Sequence, residues 1–149
     1  MPIKKLVLQY AALPYRFRDG VLEVMLITSR ETQRWVIPKG WPEKNMSAHV
    51  AAAHEAYEEA GIRGDISDLP YATFDYMKRM PNDKRKRCTV LVFPLAVRKE
   101  LDDWPEKGQR KREWVSPAEA ASRVAEIKLI DMLTKLATEP LPGAPFFIP

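Results

Sequence analysis

Cysteine is almost missing from this chain, with Cys88 as the only one. A single thiol excludes an intrachain disulfide and the thiolate cluster of a structural zinc site, so a reducing, cytoplasmic setting is expected. Histidine is scarce too: His49 and His54 are the only two, and neither a Gly-x-Ser-x-Gly elbow nor a Gly-x4-Gly-Lys-Ser/Thr loop occurs. Histidine-dependent nucleophilic catalysis and P-loop nucleotide binding are therefore poorly served. No apolar run approaches the roughly 20 residues needed to cross a bilayer. The start, Met1-Pro2-Ile3-Lys4-Lys5, does not lead into the apolar stretch of a secretory signal. A soluble protein with no membrane partner is expected.

What is present suffices for one core. With 149 residues and 46% hydrophobic side chains, the chain can bury a domain without disulfide or metal staples. We place that domain at residues 1–139. Residues 140–149 hold four prolines and two phenylalanines and read as an extended tail. The 24 basic against 20 acidic side chains give a net charge of +4, a lean toward anionic partners. Two basic runs, Lys84-Arg85-Lys86-Arg87 and Arg110-Lys111-Arg112, concentrate it; the simplest reading of either run alone is a solvated loop.

Periodicity predicts strands near Leu6–Leu13, Val21–Ser29, Tyr71–Met77, Thr89–Val97 and Glu113–Val115. A helix is predicted over Ala48–Ala60, with Ser47 as N-cap and Gly61 in the left-handed position that ends helices. A second helical stretch starts at Ser116-Pro117-Ala118-Glu119, where serine caps, proline suits the first turn and glutamate can close a capping box; it breaks near Ala125 and runs to about Thr138. Strands mixed with two helical segments indicate an α/β or α+β layered domain.

On the first helix, Val50, Ala53, Ala56, Tyr57 and Ala60 fall within an arc of roughly 120°, predicting the packing face. Glu55, Glu58 and Glu59 fall on nearly the opposite side, and the small Ala48, Ala51 and Ala52 one turn earlier leave the approach to them open. Carboxylates at i, i+3 and i+4 repel one another by about 0.2–0.5 kcal/mol per pair. Basic partners or solvent could offset that, and so could a hard divalent cation, which prefers carboxylate, carbonyl and water oxygens.

The segment before the helix, Arg34-Trp35-Val36-Ile37-Pro38-Lys39-Gly40, is strand-like and ends in a Pro-x-Gly turn. From Gly40 to Ile62 the chain resembles the Nudix family, whose box reads G-x5-E-x7-R-E-U-x-E-E-x-G-U with U a bulky apolar residue. Gly40, Glu55, Glu58, Glu59, Gly61 and Ile62 match in place, while Met46, His54 and Ala56 stand where a glutamate, an arginine and a bulky residue are expected. In the family the first glutamate and the arginine brace the loop and helix, and the later acids bind metal and activate water. Leu26 to Arg30, Arg34 to Pro38, Thr89 to Val92, and Asp103-Trp104 followed by Arg110 to Trp114 extend the resemblance. They point toward the diphosphoinositol polyphosphate and dinucleoside polyphosphate hydrolase branch.

The resemblance implies an α/β/α sandwich around a mixed sheet and a pyrophosphohydrolase using Mg²⁺ or Mn²⁺. Glu58 is then the general base. Glu55, Glu59 and the Lys39 carbonyl are metal ligands, and Arg30, Gly40, Arg85, Arg87 and Lys111 meet the phosphorylated small-molecule substrate. Glu113 is expected to pair with Arg110 or Arg112. A catalytically silent nucleotide binder descends from the same fold, and the altered bracing keeps it open. An RNA-binding protein or RNA 5′-pyrophosphohydrolase is the rival, since the basic runs could meet nucleic-acid phosphates while Trp41, Phe74 or Tyr76 stack on bases. Those aromatics are read first as core, so nucleic acid is not the favoured partner.

Overall fold

The computed structural model describes residues 7–139; the tail assigned to 140–149 lies outside the described residues. Strands β1 (Val7–Arg18) and β2 (Val21–Thr28) form a hairpin across Asp19 and Gly20, both at positive φ, as the two-residue turns that match strand twist require. Short strands β3 (Trp35–Val36) and β4 (Lys39–Gly40) follow, then helix α1 (Ala48–Ala60), β5 (Ile62–Ile66), β6 (Ala72–Arg79), β7 (Arg85–Glu100), β8 (Arg112–Val115), α2 (Pro117–Arg123) and α3 (Ile127–Leu136). Among the described residues all eight strands join one sheet. Its main order is β3-β2-β1-β7-β5, with β4 on β1, β6 on β7 and β8 on β2. β1 and β7 run parallel and the other pairs antiparallel, so the sheet is mixed as expected.

Alternation along the central strands divides the core into two layers. Ala11, Leu13, Val24, Leu26, Val90 and Val92 face α2 and α3. Ala12, Met25, Ile27, Phe93 and Leu95 face α1. The result is the anticipated α/β/α sandwich. On α3, Leu129, Met132, Leu133 and Leu136 are buried at the i, i+3, i+4, i+7 spacing of an amphipathic helix. The break near Ala125 is observed, since the chain leaves helix at Val124 and re-enters at Ile127. The Ser116 hydroxyl caps α2 by accepting from the Glu119 N–H at 3.1 Å. The Glu119 carboxylate does not complete a box with it; it accepts from Arg123 Nε at 2.9 Å.

Three elements differ from expectation. β1 runs past Pro14 to Arg18, with Pro14 in register with Leu95 inside the parallel ladder to β7. The first basic run is not a loop: Arg85–Arg87 begin β7, opposite Arg79, Lys78 and Met77 of β6. β5, too polar to show strand periodicity, pairs with the far end of β7.

The packing face of α1 also differs. The buried residues are Ala51, Ala52, Ala56, Glu59 and Ala60, while Val50 is 43% exposed. The buried face is therefore turned by roughly 100° from the predicted one, about one residue's rotation. Six of the thirteen helix residues are alanines on both sides, so the apolar pattern has little direction of its own. Contact with the sheet and β4 decides which alanines are covered. The correction matters for the site, because it brings Glu59 to the inner side of the helix.

Candidate active site

Helix α1 carries the acids, and its ends are built differently. Ser47 occupies the N-cap position in extended conformation, but its hydroxyl makes no capping bond to the helix and lies 3.4 Å from His49 Nδ1. At the other end Gly61 adopts φ 65° and donates its N–H to the Tyr57 carbonyl at 3.0 Å. That left-handed turn suits glycine. A Cβ there would also stand 2.4 Å from Trp104.

The segment between β7 and β8 clasps this last helical turn. The Glu106 N–H donates to the Glu58 carbonyl at 3.0 Å and the Leu101 N–H to that of Gly61 at 2.7 Å. Arg112 donates to the carbonyls of Ala60 (2.9 Å), Gly61 (3.1 Å) and Leu101 (2.9 Å), with its guanidinium 4.1 Å from the Trp104 ring centre. These bonds occupy carbonyls that the helix itself leaves unpaired, and a cation there suits the negative end of the helix dipole.

A cavity of about 550 Å³ opens beside α1 and is lined by Lys39, Gly40, Glu55, Glu58 and Glu59, together with Arg30, Lys78, Glu106 and Arg110. Gly40 leaves room for an acid: a Cβ on it would fall 2.3 Å from Glu55 Oε1. Glu55 and Glu59 share a hydrogen bond. Burial pushes the Glu59 carboxyl up to about 8 against the opposing pull of Arg110, and burial likewise raises Glu55. Burial outweighs the cation because Arg110 Nη2 stands 3.8 Å from Glu59 while its Nε is engaged by Glu106 at 2.9 Å. Burial thus favours the protonated form of these carboxyls. Glu58, more exposed, has His54 Nε2 2.7 Å from its Oε1.

The predicted residues divide cleanly. Glu55, Glu58, Glu59, Lys39, Gly40 and Arg30 line one cavity. Arg85, Arg87 and Lys111 do not line it: Arg87 lies 3.3 Å from Asp75, and Lys111 is held through its backbone, its N–H donating to Thr28 Oγ1 at 2.9 Å. Glu113 pairs with Arg123 at 2.8 Å, not with Arg110 or Arg112, which are committed elsewhere. Sequence reasoning missed Gln9, Lys78 and Glu106, and it chose Lys111 over Arg110. An extended run alternates sides, which separates Arg110 and Arg112 from Lys111, and that period was the available signal.

The Glu55 and Glu59 carboxylates supply oxygen donors of the kind a hard divalent ion prefers. Among the described residues no three His, Cys, Asp or Glu side chains converge on one point, so further ligands would come from backbone carbonyls and water. Among the same residues no helix is long and apolar enough to cross a membrane.

Comparison with known proteins agrees with this geometry. The NUDIX domain matches residues 8–135. The chain is 34% identical over 102 residues to Nudix hydrolase 12, mitochondrial, of Arabidopsis thaliana, covering 66% of this chain and 50% of that protein. It is 39% identical over 95 residues to diphosphoinositol polyphosphate phosphohydrolase 3-alpha of Mus musculus, covering 62% and 54%. The chain thus spans about half the length of these curated relatives. In fold it is similar to the binary complex of the C. elegans Ap4A hydrolase, with TM-score 0.67, 21% identity and coverage of 89% and 96%. With a box that matches in all three inner acids, a fold shared across the layers and a domain match along most of its length, the chain belongs to the Nudix family.

Proposed function

We propose that this protein hydrolyses a phosphoanhydride bond in a phosphorylated small molecule of the dinucleoside polyphosphate or diphosphoinositol polyphosphate type. The observation that carries the reading is that Glu55, Glu58 and Glu59 line one cavity together with Lys39, Lys78 and Arg110. Relatives named as an Ap4A hydrolase and as a diphosphoinositol polyphosphate phosphohydrolase support it.

Glu55 and Glu59, with the Lys39 carbonyl, are the groups that would hold Mg²⁺ or Mn²⁺. When bound, such an ion supplies charge neutralisation to the phosphate oxygens and in-line alignment of the reactants. Lys39, Lys78 and Arg110 bind and orient the phosphate chain. Glu58 takes a proton from the attacking water. As the new P–O bond forms, the anhydride P–O bond breaks and the leaving phosphate departs with its electron pair. The Glu106 N–H on the Glu58 carbonyl keeps that turn of α1 in place.

The test is incubation with Ap4A and with a diphosphoinositol polyphosphate in H₂¹⁸O, with Mg²⁺, with Mn²⁺ and with EDTA, and mass analysis of the products. Metal-dependent release of one ¹⁸O-labelled phosphate or nucleotide is expected. No product from either substrate with either metal would leave a binding protein.

A further inference from the structure

Among the described residues, Gln9, Thr28 and Glu59 are the polar side chains buried beside the apolar core. Thr28 Oγ1 accepts from the Lys111 N–H, and Glu59 shares its hydrogen bond with Glu55. Gln9 is only half satisfied. It is 3% exposed, and its Oε1 accepts from the Tyr76 hydroxyl. Burial pushes the Tyr76 phenol up to about 12, so that hydroxyl keeps its proton and is the donor. With the oxygen committed to Tyr76, the amide nitrogen is left with its N–H groups and no partner among the described residues. The indole nitrogens of Trp104 and Trp114 also lack partners, but they are sealed from solvent. The Gln9 amide is not sealed, because Gln9 lines the acid cavity. A withdrawn donor that opens on a cavity calls for an acceptor from outside the chain.

The sheet register gives that donor positive company. Lys39 pairs with Ala11 across β1 and β4, so its side chain lies on the face of Ala11 and of Gln9 two residues earlier. The Lys39 ammonium stands 5.4 Å from the Tyr76 ring centre. Lys78 follows Tyr76 on the same side of β6 and lines the same cavity as Gln9 and Lys39. Among the described residues neither lysine forms an ion pair. An acceptor that satisfies all three groups must carry negative charge and several oxygens, which describes a phosphoryl group. A neutral amide there supplies direction, where a third cation would add repulsion to Lys39 and Lys78.

We infer that Gln9 is a phosphate-binding residue, its amide nitrogen donating to an oxygen of a phosphoryl group held by Lys39 and Lys78, and that Tyr76 is a positioning residue acting through it. The inference rests on the proposed grip of those lysines on the phosphate chain, and its test needs no hydrolysis. Inorganic tripolyphosphate is titrated into the ¹⁵N-labelled full chain in EDTA while the side-chain amide signals of Gln9 are followed. The Gln9 Nε2 protons are expected to move downfield and to saturate together with the backbone amides of Lys39 and Lys78. Gln9→Met, apolar and of similar length, should weaken tripolyphosphate about 10-fold, the cost of one hydrogen bond to a charged group. Tyr76→Phe frees the amide to turn and should cost about threefold. The double variant should bind no more weakly than Gln9→Met alone, since Tyr76 then has nothing to orient.

Should a variant fail to fold, the wild-type Gln9 signals decide. Failure to bind tripolyphosphate, Gln9 signals that stay still at saturation, unchanged affinity in a folded Gln9→Met, or losses that simply add in the double variant would overturn the inference. Hydrolysis of Ap4A or of a diphosphoinositol polyphosphate with silent Gln9 signals would overturn it too and leave the reaction standing. Shifted Gln9 signals in a protein that hydrolyses neither would do the reverse.

Discussion

His54 Nε2 lies 2.7 Å from Glu58 Oε1, so the side chain that replaces the box arginine is paired with the acid proposed as base. An imidazole forms an ion pair only while protonated, whereas arginine does so at every accessible pH. His54→Arg should therefore keep more activity than the wild type on the alkaline limb of a pH–rate profile at saturating metal. Superimposable alkaline limbs would show that the pair does nothing for turnover.

Glu58→Gln should lower turnover by roughly 10²–10⁴-fold with the fold unchanged, the usual cost of losing a general base. A variant with near-normal kcat would assign the base elsewhere.

On the proposed ligand set, Glu59 would set the pH dependence of metal binding. Its folded value of about 8 lies above the roughly 4.3 of an unfolded glutamate, so the metal-free fold gains a proton-linked stability that is lost as pH rises toward 8. A metal ligand must give up that proton. Mn²⁺ affinity should therefore climb from pH 6 to about pH 8 and then level off, while the metal-free Tm falls over the same window. Glu59→Gln should weaken Mn²⁺ binding and flatten both curves; an unchanged metal titration would remove the residue from the ligand set.

Gly40 tests the cradle. In Gly40→Ala the new methyl group falls 2.3 Å from Glu55 Oε1, so the carboxylate must move by about an ångström and activity should drop roughly 10²-fold. Adding Glu55→Asp shortens the displaced side chain and should restore part of the loss, a non-additive result in a double-mutant cycle. Strict additivity would mean that the two residues do not share the space.

For phosphate grip, Lys78→Ala should raise KM more than Arg85→Ala or Lys111→Ala, because only Lys78 of these lines the cavity. Added salt should weaken the contribution of the two outer residues first, since exposed charges are screened within about 8 Å at physiological ionic strength. A larger KM effect from Lys111 would restore the expectation drawn from the resemblance alone.

How far each part could be read from sequence follows from locality. Glu55, Glu58 and Glu59 lie within one and a half helical turns, so their spacing alone places them together, and Gly40 and Lys39 come with the same contiguous box. Gln9, Lys78, Glu106 and Arg110 reach the cavity from β1, β6 and the β7–β8 connection, and only the assembled sheet brings them there. The central strands announced themselves through their periodicity, and the second helical stretch through its capping residues at Ser116 to Glu119. The orientation of α1 did not, because alanine is small and apolar enough to suit either side.

The clasp on α1 gives the site an order of assembly. The acid-bearing turn is complete in the chain by Gly61, yet the groups that hold its carbonyls are Leu101, Glu106 and Arg112. A nascent chain that has emerged only as far as β7 has every glutamate of the motif and none of those bonds. Helix α1 can form from local contacts, whereas the bonds on its last turn need the β7–β8 connection and Arg112 in place. Amide exchange during refolding should accordingly show residues 58–61 protected in step with Arg112–Val115, after the first turns of their own helix, so that hydrolytic competence arrives among the last events of folding.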